Sequence, residues 1–123
     1  MPLAKNVMRG GVSANAARAI NGNEVQSALT AAGTTQGTAA AAEGDVNVVT
    51  TATTGQGVIL SSYSVPGDTQ SVYNNTTADI RVYPPTGSNF NQLAANAGFV
   101  LAPYTAVDCL RVSSTLLVGF LSA

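Results

Sequence analysis

The sequence predicts an all-β domain, a small β-sandwich, jelly roll or barrel, preceded by an extended N-terminal arm. Three observations carry that prediction. From residue 24 onward the chain breaks into short alternating or β-branched runs, with turn residues about every 8–12 positions. No stretch sustains a helical apolar period. Only 9% of the 123 residues are charged, against about 25% in an ordinary soluble domain. Thr, Ser, Asn, Ala and Gly take the place of charge, and such residues suit close-packed contact surfaces. The length fits one domain of about 100–150 residues, and 46% apolar content lies far from the signature of disorder.

Residues 1–23 read as the arm and residues 24–123 as the β-domain. Lys5, Arg9 and Arg18 all precede the first acid, Glu24, whereas the remainder sets six acids against Arg81 and Arg111. Gly10-Gly11 interrupts any helix in the arm. Ser13 could cap one helical turn over Ala14–Ile20, with Gly22 ending it. No apolar run of about 7–15 residues follows the basic start, so no secretory signal is expected. The longest apolar run, "LLVGFL" at Leu116–Leu121, is far short of the ~20 residues of a spanning helix.

In the β-domain, "EVQSALT" (Glu24–Thr30) alternates, and "VNVVTTA" (Val46–Ala52) is β-branched. Between them, Ala39–Ala42 could be a helical turn or a strand packed where space is tight. "TGQG" (Thr54–Gly57) reads as a turn before a short buried strand, Val58–Leu60. "VPGD" (Val65–Asp68) reads as a β-turn, with proline presetting the first corner and glycine free to take a positive φ. "TQSVYNN" (Thr69–Asn75) and "DIRVY" (Asp79–Tyr83) read as strands joined by a hairpin-like "TTA". In the second, Ile80 and Val82 face one side and Arg81 and Tyr83 the other. Pro84-Pro85 end that strand, because neither ring nitrogen can donate to a ladder. Phe90 and Leu93 are the sizeable anchors of the long connection that follows. "GFVLA", "TAVDCLRV" and "STLLVGFLSA" supply three further strands, the last two apolar enough to be central, for seven to nine in all. No internal repeat is legible.

Little in the sequence can do chemistry. Histidine is absent, so the paired serines Ser61-Ser62 and Ser113-Ser114 have no base to activate them. Glu43 and Asp45 flank Gly44 in a turn, a setting for solvated acids rather than a catalytic pair. Cys109 is the sole cysteine. It sits on an alternating strand and reads as a buried, inert thiol. Asn74 and Asn75 both match the glycosylation acceptor pattern but read better as turn chemistry. The glycine-containing "GTTQG" and "GQG" lack the lysine and the strand-loop-helix setting of a phosphate cradle. Three cations in the arm would hold nucleic acid only weakly. No enzyme, cofactor, metal, nucleic-acid or membrane function is expected.

From Ala19 to Ala123 the chain resembles small virion structural proteins of tailed bacteriophages. The resemblance rests on "AINGN…SALTAAGTTQGTA", "VNVVTTATTGQGVIL" and "VYNNTTADIRVYPPTGSNFNQLAANAGFVLAPYTAVDCLRVSSTLLVGFLSA". Its most specific piece is the strand-then-turn at Val82–Gly87. The resemblance implies a head decoration (cement) or head-fibre component, made in the host cytoplasm and carried on the phage head. The partners then expected are the major capsid protein and further copies of the chain, as a homo-oligomer and specifically a trimer, which would stabilise the shell. Lys5, Arg9 and Arg18 are the candidate contacts to an acidic capsid surface. Tyr83, Pro84, Pro85, Phe90 and Leu93 are the candidate loop or subunit contacts, with the prolines blunting a strand edge and projecting a loop. A tail- or fibre-associated host-binding module is the alternative expectation.

Overall fold

A computed structural model describes residues 25–122 apart from residues 63 and 92. The arm, including Lys5, Arg9, Arg18 and the helical turn expected over Ala14–Ile20, lies outside the described residues. Ten strands are present among the described residues: β1 (Val25–Thr30), β2 (Ala40–Ala41), β3 (Val46–Thr51), β4 (Gly57–Ile59), β5 (Thr69–Asn74), β6 (Ile80–Tyr83), β7 (Asn89–Phe90), β8 (Phe99–Leu101), β9 (Ala106–Arg111) and β10 (Leu116–Leu121). The described chain is therefore all-β, with one 3-10 turn at Gln36–Thr38. Ala39–Ala42 divides between the exit of that turn and β2, so its small side chains serve a strand.

The strands form two sheets that enclose one core. The larger has the order β1-β3-β5-β9-β10-β7 and the smaller β2-β4-β6-β8. Alternation places Gln70, Val72 and Asn74 of β5 inside and Thr69, Ser71 and Tyr73 outside. The same period puts Val107, Cys109 and Arg111 of β9 inside. Val49, Val72, Val107 and Leu117 from the larger sheet meet Val58, Ile80, Val82 and Leu101 from the smaller. Each such side chain, fully buried, contributes roughly 1.5–3 kcal/mol.

The expected sandwich, jelly roll or barrel is not the arrangement found. β1, β3 and β5 stack in parallel, and so do β2, β4 and β6. The chain therefore winds as a two-sheeted β-solenoid, crossing from one sheet to the other on every coil. Val25 lies beside Val46 and Val46 beside Ser71, while Ala40 lies beside Val58 and Val58 beside Val82. The coils are unequal in length, which is why a geometric repeat leaves no repeat in the sequence. After β6 the direction reverses. β8 runs antiparallel to β6 and β9 antiparallel to β5, so a coil of opposite sense closes the stack. β10 folds back on β9, and the short β7 covers only Leu116 and Leu117 at its edge.

The hairpin expected across "TTA" is a second correction. β5 and β6 belong to different sheets, and Asn74 turns the corner between them. Its carboxamide donates to the carbonyls of Ala78 (2.8 Å) and Leu101 (3.0 Å) and accepts the Thr76 hydroxyl (2.7 Å). Satisfying that many backbone groups from one buried side chain fixes a corner that a tight hairpin would not make. The expected turns do appear. The Asp68 amide donates to the Val65 carbonyl with Gly67 at φ 97°, and Gln56 closes on Thr53 with Gly55 at φ 89°.

Candidate functional site

The double-proline corner is built from inside the subunit. β6 is an interior strand between β4 and β8, so the prolines do not blunt an edge. Tyr83 points to the outer side of the smaller sheet, yet only 7% of it is exposed. Its ring lies against β4 at Gly57 and against Gly98, the residue before β8, two positions without side chains. A Cβ added to Gly57 would stand 2.6 Å from Cε2 of the ring, and one added to Gly98 would stand 2.7 Å from Cδ1. The Tyr83 hydroxyl then donates to the Thr34 carbonyl at 3.1 Å.

Pro84 is fully buried, and its carbonyl accepts Nε2 of Gln36 at 2.8 Å. Pro85 is buried beside it. The turn closes through the Ser88 amide on the Pro85 carbonyl, with Gly87 at φ 85°. Asn96, itself at φ 67°, accepts the Gly87 amide (2.6 Å) and Gln36 Nε2 (3.1 Å). The segment is thus stapled down, and only Thr86 and Gly87 stand out at its tip. Phe90 is a core residue, edge-on to Phe99 with ring centroids 4.9 Å apart. Of the five candidate loop residues, Leu93 is the one with surface to offer, at 42% exposed.

Leu93 stands in an apolar groove at the reversed end of the stack. The larger sheet overhangs there, because β10 and β7 extend past β8, the last strand of the smaller sheet. Phe90, Leu93, Phe99, Val100 and Leu121 line a hollow of about 530 Å³. Val100 and Leu121 are exposed along with Leu93. A second cleft, of about 640 Å³, runs along Glu43, Leu60, Ser61, Ser62, Pro85 and Thr86. It offers a carboxylate and hydroxyls, and it can hydrogen-bond a polar surface. With no histidine in the chain, its serines have no imidazole to take a proton.

Cys109 is buried, and burial together with the neighbouring Asp108 charge pushes its pKa up to about 12, so the nucleophilic thiolate is suppressed. Among the described residues, no three of His, Cys, Asp and Glu gather in a way that could hold a metal ion, and no helix is long and apolar enough to cross a membrane. The buried polar residues were the part of the site that sequence reasoning missed. Asn47 accepts the Gly44 amide and donates to the carbonyls of Gly44 and Ser71. Gln70 Oε1 accepts the Ser61 amide, and its Nε2 donates to the Gly44 carbonyl. Arg111 donates from Nε to the Ser64 hydroxyl (2.6 Å) and from Nη1 to the Ser114 carbonyl (2.9 Å). Their signal was present as polar residues on the inward beat of an alternating strand. Asn74, matching the glycosylation pattern, is wholly buried and spent on its corner.

No known protein family, curated protein or solved structure matches this chain.

Proposed function

We propose that this chain is a non-enzymatic virion structural protein of a tailed bacteriophage, a decoration or cement subunit held on the outer head surface. The observation that carries the reading is the apolar groove at the reversed end, where Leu93, Val100 and Leu121 stand exposed around the Phe90–Phe99 pair. Exposed apolar hollows of this kind commonly mark contact surfaces, which supports the reading. The resemblance over Ala19–Ala123 supplies the phage assignment. In this reading the capsid protein fills the groove with an apolar side chain, while Lys5, Arg9 and Arg18 meet acidic capsid surface. Repetition over a shell multiplies a modest contact into an appreciable stabilisation.

Purified particles test it. Quantitative mass spectrometry should find this chain at a copy number on the scale of the shell's own subunits. Replacing Lys5, Arg9 and Arg18 together by Ala, or Leu93 by Asp, should lower rebinding to particles stripped of it. Absence from particles, or full occupancy by both variants, removes the reading.

A host-binding tail module is the second reading. What favours it is Tyr104, which is 58% exposed and held at φ 57°. That conformation is strained for a bulky residue, and strain of this kind gathers at binding sites. A copy number on the scale of a tail rather than a shell selects this reading.

A further inference from the structure

The outer face of the six-stranded sheet is patterned about its own centre line. The strand order β1-β3-β5-β9-β10-β7 places that line between β5 and β9. One row across the face reads Val46, Ser71, Asp108, Phe120 and a second Val48, Tyr73, Ala106. A third joins Thr69, Leu110 and Val118. Val46 and Phe120 are exposed, the latter by 58%. Asp108 is the charge within these rows, and its Oδ1 lies 2.6 Å from the Ser71 hydroxyl.

We propose that this face binds the same face of a second copy, about a two-fold axis lying along the centre line parallel to the strands. The axis sets β5 over the second copy's β9 and β3 over its β10. Every larger side chain then meets a smaller one. Tyr73 lies over Ala106 of the second copy, Phe120 over its Val46, and Leu110 over its Thr69. Asp108 lies over the second copy's Ser71, so each carboxylate is flanked by two hydroxyls. An axis placed on β9 instead would stack Asp108 on Asp108, and like charges in contact oppose association.

The size is adequate. The five six-residue strands, about 4.8 Å apart and about 20 Å long, give a footprint of about 500 Å², to which the two-residue β7 adds little. Side-chain relief raises the accessible area toward the ~800 Å² per partner of a standard interface. Two sheets packed face to face at about 10 Å are an ordinary β architecture. A two-fold pairing makes the homo-oligomer a dimer, in place of the trimer expected from the sequence, and it holds whether or not the chain belongs to a virion.

Sedimentation of the full chain should show a concentration-dependent dimer, and Tyr73→Lys should leave a folded monomer whose thermal midpoint no longer rises with protein concentration as the parent's does. Register is read separately with Val46→Cys and Phe120→Cys, made as single variants and mixed under oxidised glutathione, which accepts the electrons as the disulfide forms. The mixed Val46→Cys/Phe120→Cys disulfide should form severalfold faster than either symmetric one. A monomer at every concentration, a trimer, or symmetric Val46→Cys disulfides outpacing the mixed pair overturns the proposal. So does a dimer that appears only after residues 1–23 are removed, because those residues would then occupy the face.

Discussion

The backbone amide of Gly119 donates to Oδ1 of Asn91 at 3.1 Å, at the point where β7 stops covering β10. Asn91 itself is held at φ 43°, and its amide donates to the Leu117 carbonyl. Its carboxamide therefore occupies the ladder position that the next residue of β7 would have filled. An open edge invites pairing with another chain, and here a side chain closes part of it. Asn91→Ala should lower stability by about 1–2 kcal/mol, from the lost bond and the strained φ. Light scattering on heating should show earlier aggregation than in the parent chain. Unchanged aggregation onset would show that the edge needs no cover.

Asn74 is the corner pin between β5 and β6, with donors on three carbonyls and an acceptor on Thr76. Asn74→Ala should cost about 3–5 kcal/mol, since several buried groups lose their partner together. Asn74→Asp should be as damaging at neutral pH, because a carboxylate facing carbonyls cannot donate. Folding favours the protonated form of that aspartate, so its folded pKa is raised, and the variant should regain stability as pH falls through it. Urea unfolding at two pH values, compared with Asn74→Ala, reads the difference.

Tyr83 depends on the bare backbone of Gly57 and Gly98. Gly57→Ala places a methyl 2.6 Å from the ring and 3.0 Å from the Arg81 carbonyl, and should cost about 1–3 kcal/mol. In Tyr83→Ala/Gly57→Ala the second substitution should cost clearly less than it does alone, because the ring is gone. Additive costs in that double-mutant cycle would remove the ring from the explanation.

Cys109 links stability to alkaline pH. Its thiol ionises near 12 in the folded chain, against an ordinary value of 9.0. The folded state thus holds the proton more tightly than the unfolded state. The contribution is fully present below about pH 9 and is lost as pH rises toward 12. Denaturant midpoints measured across that window should fall more steeply for the parent chain than for Cys109→Val. In native protein at pH 8 the thiol should resist alkylation, and it should react readily once urea unfolds the chain.

Much of the local structure was legible in the residues. "AVDCLR" was read as alternating, and it buries Val107 and Cys109 with Asp108 exposed between them, because a strand exposes opposite faces at every step. "VNVVTT" was read as a strand from its β-branched residues, but its inward beat carries Asn47 and Val49 and leaves Val46 exposed. The "VPGD" turn follows from proline and glycine alone. The double-proline segment was read correctly as a strand end. Its burial was not legible, since the glycines that receive Tyr83 lie far from it in the chain, at Gly57 and Gly98. Phe90 and Leu93 looked alike as anchors, and only packing against Phe99 separates the core residue from the exposed one.

The sequence by itself determined the all-β character, most strand positions and the turns at Val65–Asp68 and Thr53–Gln56, since each depends on residues within a few positions of one another. Pairing was decided by the tertiary structure. β5 takes β3 and β9 as neighbours from opposite directions along the chain, and nothing local in "TQSVYN" distinguishes a parallel partner from an antiparallel one. Asn47, Gln70 and Asn74 set the coil corners by hydrogen-bonding carbonyls brought in from other segments. The physical reason is that a carboxamide reads as surface until the backbone groups it must satisfy are in place around it.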